Sequence, residues 1–90
     1  HGAESVTLEL ITGDADPLHA VAPALRTLPG VTTAAFLSAE GQSARFEIHA
    51  ERGTDVREAV FHLAVRNAWV LLEMHRKVTT LEEVFHKLTT

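Results

Sequence analysis

From Ser5 to Ile11 apolar and polar residues alternate, with Val6, Leu8 and Leu10 in one phase and Thr7 and Glu9 in the other, as a half-buried strand requires. The period then changes. Leu18, Val21, Ala22, Leu25 and Leu28 recur at helical spacing, with Asp14 or Asp16 placed to cap a helix and Pro17 suited to its first position. Pro23 falls inside this stretch; an interior proline removes a backbone bond at a cost of about 3 kcal/mol, so a kink or break is expected there. Pro29-Gly30 stops the helix. Next, Val31, Thr33, Ala35 and Leu37 alternate with Thr32, Ala34, Phe36 and Ser38, and neither set is plainly the buried one. Glu40-Gly41 reads as a hairpin turn into a third strand with Ala44, Phe46, Ile48 and Ala50 inward and Arg45, Glu47 and His49 outward. A second helix is expected after Arg52-Gly53, capped by Thr54 or Asp55, with Val56, Ala59, Val60, Leu63 and Ala64 on its apolar face and Asn67 ending it in a left-handed conformation. In the fourth strand, Val70, Leu72 and Met74 oppose Trp69, Leu71, Glu73 and His75.

The order βαββαβ, with two amphipathic helices and a sheet apolar on one face, specifies an α+β two-layer sandwich. A ferredoxin-like arrangement fits best: a four-stranded antiparallel sheet in the order 4-1-3-2 allows both crossovers to be right-handed. Its open face is expected to collect Thr7, Glu9, Arg45, Glu47, His49, Glu73 and His75. An extra C-terminal helix is written into residues 80–90. Thr80 and Glu83 form a capping box, and Leu81, Val84, Phe85 and Leu88 make one apolar stripe. Phe36 and Leu71, which fall opposite the inward positions of their strands, are the expected apolar contacts of that stripe. Phe36, Leu71, Leu81, Val84, Phe85 and Leu88 are therefore the candidate interaction residues.

Ninety residues make a single domain, 1–90, whose first two residues, His1 and Gly2, begin without Met and read as a cleavage remnant. The net charge of −4, with basic residues scattered, argues against a nucleic-acid partner. Cysteine is absent, which removes disulfides, thiolate metal sites and a thiol nucleophile and fits a cytoplasmic setting. No apolar run is long enough to span a bilayer.

The chemistry-bearing residues are few. His49 and His75, with Glu9 between them, have the donor types of a metal site, but no short-range ligand motif supports one, and a solvated polar face is the stronger reading. His62 and His86 stand alone on helices. Gly30 in Leu28-Pro29-Gly30-Val31 could let backbone N–H groups approach a carboxylate, although a helix stop and tight turn explain it more simply. Gly53 is one glycine, too little for a phosphate loop. No catalytic, cofactor-binding or metal residue is assigned.

Leu28-Pro29-Gly30-Val31, the Trp69 to Met74 strand and the Leu81 to Thr89 tail, in that order, resemble the C-terminal accessory domain of bacterial ABC-2-type exporter ATP-binding subunits of the gliding-motility and drug-export kind. Members of that family often place Pro-Ser before the tail helix, where this chain has Val78-Thr79-Thr80. The resemblance implies a noncatalytic regulatory module whose partners are its own nucleotide-binding domain, a second copy of itself and, through the parent protein, a membrane permease. ATP and Mg would then belong to a preceding ATPase domain, and the module would lie in the cytoplasm at the inner membrane. The alternative is an ACT-like regulatory domain that binds a small molecule near Gly30.

Overall fold

The computed structural model describes residues 3–79, so the tail helix expected over residues 80–90, with Leu81, Val84, Phe85 and Leu88, lies outside the described residues. The alternating segments form β1 (Ala3–Ile11), β2 (Val31–Glu40), β3 (Ser43–Ala50) and β4 (Val70–Thr79), and the helical ones form α1 (Pro17–Arg26) and α2 (Arg57–Arg66). All strand pairs are antiparallel, and the sheet runs β2-β3-β1-β4, the expected order read from the other edge. The chain is a ferredoxin-like α+β sandwich.

Asp16 is the N-cap of α1 and accepts from the His19 backbone N–H, with Pro17 at the helix start. The helix runs through Pro23 as a single element, so the expected break does not occur. Proline's fixed φ is itself helical, and Val21, Ala22 and Leu25, buried on either side of Pro23, hold both halves against the sheet. α1 ends at Arg26 rather than Leu28. Leu28 is still buried, reached through a turn in which its N–H donates to the Leu25 carbonyl at 3.2 Å. Gly30 follows at φ +85°, and a Cβ there would stand 2.5 Å from the Thr54 side chain. The glycine is thus required by backbone conformation and by close packing.

α2 departs from expectation at both ends. Its N-cap is Val56, without a side-chain cap bond, while Asp55 accepts from the Arg57 N–H at 3.1 Å and grips the Arg57 guanidinium. Val56 is buried, so the chain enters the helix with an apolar side chain seated in the core. At the other end Asn67 stays at φ −98°, and Ala68 takes the positive φ, +58°. The Trp69 N–H donates to the Ala64 carbonyl and the Ala68 N–H to that of Val65, which makes a Schellman closure with alanine where glycine is usual.

The core lies between the sheet and the helices, with Val6, Leu8 and Leu10 of β1 and Ala44, Phe46, Ile48 and Ala50 of β3 meeting Val21 and Leu25 of α1 and Val60 and Leu63 of α2. Burial of one such large side chain contributes about 1.5–3 kcal/mol. The edge strands do not keep simple alternation. β2 shifts register between Val31 and Thr33 and again between Phe36 and Ser38, so Val31, Ala34, Phe36 and Ala39 stand opposite the inward residues Ala50, Ile48, Phe46 and Ala44. In β4 a shift opposite Glu9 and Leu10 pairs Leu10 with Leu71 and leaves Leu72 as the extra residue.

These bulges correct the placement of two candidate interaction residues. Phe36 and Leu71 are on the helix side: the Phe36 ring lies edge-on to Phe46 at 5.6 Å, and Leu71 packs against the core. Val70 and Leu72, expected inward, are exposed instead.

Candidate functional site

The face of the sheet turned away from the helices carries side chains in three rows across β3, β1 and β4. Register places His49, Ser5 and Lys77 in the first, Glu47, Thr7 and His75 in the second, and Arg45, Glu9 and Glu73 in the third. The outer strand β2 adds Thr33 beside His49, Ala35 beside Glu47 and Ser38 beside Arg45. Every residue expected on the open face is therefore found there. The period of two in β1 and β3 is sufficient to place them.

Within the rows the acids and bases are paired. Glu9 and Glu73 stand directly opposite one another, an apposition that repels unless a cation intervenes. Arg45 supplies it, with Nη1 3.7 Å from Glu9 Oε1 and 3.4 Å from Glu73 Oε2. His75 Nε2 lies 3.1 Å from Glu73 Oε1, and His49 Nε2 lies 2.9 Å from Glu47 Oε1, each imidazole turned to an acid on its own strand. The hydrogen bond from His75, reinforced by the Arg45 charge, holds the Glu73 carboxyl below its ordinary range. Lys77 has no acid opposite it in its row.

His49 and His75 do not converge. They lie on opposite sides of β1, two strand spacings or about 10 Å apart across the sheet, and are offset further by one row along it. Among the described residues no group of three or more His, Asp or Glu side chains is arranged to hold a metal ion. His62, on the outer side of α2, lies 3.6 Å from Glu58.

A second polar feature went unnoticed in the sequence. Glu4 is in phase with Val6, Leu8 and Leu10 and so faces the helix layer, where it is only 5% exposed and paired with Arg76 of β4. Among the described residues its Oε2 has no hydrogen-bond partner. The strand phase itself was the available signal, since Glu4 continues the apolar series of β1 and Arg76 that of Met74. Just ahead of α2, the bidentate contact from Arg57 pulls the Asp55 carboxyl down to about 2.

A concavity of about 280 Å³ lies between the β1–α1 loop at Gly13 to Ala15 and the hairpin at Gly41 to Ser43. Among the described residues that line it, Asp14 is the one charged side chain. Gly30, the glycine considered for ligand approach, is occupied by packing against Thr54. Among the described residues no helix is long and apolar enough to cross a membrane.

A four-stranded antiparallel sheet with both helices on one face and an exposed polar surface on the other defines a ferredoxin-like module. No protein-family model and no curated protein sequence matches the chain. Among solved structures it is similar to a chain of the archaeal box H/ACA sRNP Nop10–Cbf5 complex, at a TM-score of 0.56 and 23% identity, over 83% of this chain and 26% of that one. It is likewise similar to a chain of an H/ACA RNP bound to a substrate RNA containing 2′-deoxyuridine, at 0.57 and 23%, over 84% and 27%. A Cbf5–Nop10–Gar1 complex gives 0.57 and 20%, over 84% and 30%. The likeness is one of fold, and the chain spans little more than a quarter of the length of these neighbours.

These neighbours overturn the reading as an exporter ATPase accessory domain, because the solved structures found similar in fold are chains of H/ACA ribonucleoprotein complexes. The partners that came only with that resemblance, a nucleotide-binding domain and a permease, fall with it. So does the exclusion of nucleic acid, which rested on net charge. Net charge sums over the whole surface and does not show that Arg45, Lys77, His49 and His75 share one face, interleaved there with Glu9, Glu47 and Glu73.

Proposed function

We propose that the chain is a noncatalytic module of an RNA-associated assembly and that the open face of its sheet is the surface that meets RNA. One observation carries the reading: three cross-strand rows of hydrogen-bonding side chains lie uncovered by either helix, in a fold that ribonucleoprotein chains share. Arg45 and Lys77 supply fixed positive charge, the imidazoles of His49 and His75 supply ring nitrogens, and Ser5, Thr7 and Thr33 supply hydroxyls for phosphate and ribose oxygens. Phe36 and Phe46 are both on the helix side, so stacking of bases on sheet aromatics, the usual device of RNA-binding sheets, is not part of the reading. Contact is with the sugar-phosphate backbone and is indifferent to sequence. The chain needs no cofactor for this, and its acidic character keeps binding weak away from the face.

Fluorescence anisotropy with a labelled single-stranded RNA of about 16 nucleotides tests the reading. Two fixed cations predict saturable binding whose log affinity falls against log salt with a slope of about 1.4. Replacing both Arg45 and Lys77 with alanine should flatten that slope. Absence of saturable binding at every pH between about 5.5 and 7.5, or binding untouched by the double replacement, refutes the reading.

A further inference from the structure

We propose, building on the RNA reading, that the open face is gated by protons: its own carboxylates hold it closed to polyanions at neutral pH, and protonation of His49 and His75 opens it. In the three rows the fixed charges are two cations, Arg45 and Lys77, against three carboxylates, Glu9, Glu47 and Glu73, which leaves a formal charge of −1 with neutral imidazoles. With both imidazoles protonated the same surface is formally +1. Glu40 lies beyond the rows, beside the hairpin and opposite Ser43, and the facing positions of β2, Thr33, Ala35 and Ser38, carry no charge.

The geometry makes this more than a count. Glu47 lies 2.9 Å from His49, and Glu73 lies 3.1 Å from His75 and 3.4 Å from Arg45, so the carboxylates occupy the groups a phosphate would use. A polyanion at neutral pH must displace internal acids and meets a net negative surface as well. Histidine is the side chain whose charge changes between about pH 5 and 8. The Glu73 carboxyl, held low by its bond from His75 and by the Arg45 charge, stays ionised across that interval. An imidazolium contacting phosphate also makes a charge-assisted hydrogen bond, stronger than a neutral one.

Neutralising the carboxylates must imitate protonating the imidazoles. Glu47→Gln with Glu73→Gln takes the face from −1 to +1 without any change of pH, and the two routes should converge. The experiment is anisotropy with the same single-stranded RNA at constant salt, with circular dichroism confirming the fold of each variant. Affinity of the wild-type chain should rise about tenfold from about pH 7.5 to about pH 5.5. The double glutamine variant should already bind more tightly at neutral pH, and His49→Gln with His75→Gln should lose the pH response. A wild-type affinity independent of pH, an unchanged pH response in the double histidine variant, or no gain from removing the carboxylates would refute the gate while leaving RNA binding standing. If neither the wild-type chain nor the glutamine variant binds RNA at any pH, the RNA reading itself is lost and the gate with it.

Discussion

The central strands β1 and β3 and the edge strands β2 and β4 obey different rules. In β3 burial alternates residue by residue, and Arg45, Glu47 and His49 face out wherever Ala44, Phe46 and Ile48 face in. In β2 and β4 the same rule fails at Thr32, Leu37 and Leu72, the extra residues at the register shifts. A central strand is tied to neighbours on both sides, and a one-residue slip would turn its entire apolar set to water. An edge strand has one neighbour. An extra residue there disrupts a single ladder, and it also bends the strand so that an exposed edge is a poorer template for another chain.

The difference can be broken most sharply at the two paired phenylalanines. Phe46 on β3 is fully buried, and Phe46→Ala should cost about 3–5 kcal/mol by leaving a cavity. Phe36 on β2 lies against the same ring but is 37% exposed, and Phe36→Ala should cost only about 1–2 kcal/mol. Urea unfolding of both variants measures the pair. Equal costs would mean that the edge strand is held as firmly as the centre.

The next effect in size lies where a central strand meets an edge strand at a polar contact. Arg76→Ala removes the partner of the buried Glu4 carboxylate and should destabilise by about 2–4 kcal/mol, discounted for the partial exposure of Arg76. Combining it with Glu4→Leu should recover most of the loss, because an apolar side chain suits that position of β1. Failure of the double variant to recover would show that the pair specifies the strand register rather than merely satisfying itself.

What the sequence made legible follows the same division. Two-residue periodicity in β1 and β3 led directly to the polar face with Glu9, Arg45, Glu47 and His49, and the element order with right-handed crossovers led to the sheet order. It misplaced Phe36, Leu71, Val70 and Leu72, because a bulge inserts one residue and reverses the phase without any local signal in composition. The helix ends were misread for a related reason. Asp55 and Asn67 have the side chains that favour caps, but burial of Val56 and the closure through Trp69 moved the actual positions by one residue. The tail that carried most of the resemblance to exporter ATPases lies outside the described residues, and the remaining fold has its likeness among ribonucleoprotein chains.

The smallest expected effect sharpens the account at the entry to β4. Ala68 holds a left-handed conformation that costs an L-residue about 1–2 kcal/mol, so Ala68→Gly should stabilise by about 0.5–1 kcal/mol once the greater freedom of glycine in the unfolded chain is deducted. Thermal unfolding would register it as a small rise in Tm. A fall would mean that the alanine methyl contributes packing at the turn.

The claim that the open sheet face is the working surface is tested most directly by following backbone amide shifts while single-stranded RNA is added. The account predicts changes concentrated in β1, β3 and β4 around Ser5, Thr7, Arg45, His49, His75 and Lys77, growing as pH falls. Changes centred instead on the outer side of α2 at Phe61 and Val65, with the sheet unaffected, would contradict it.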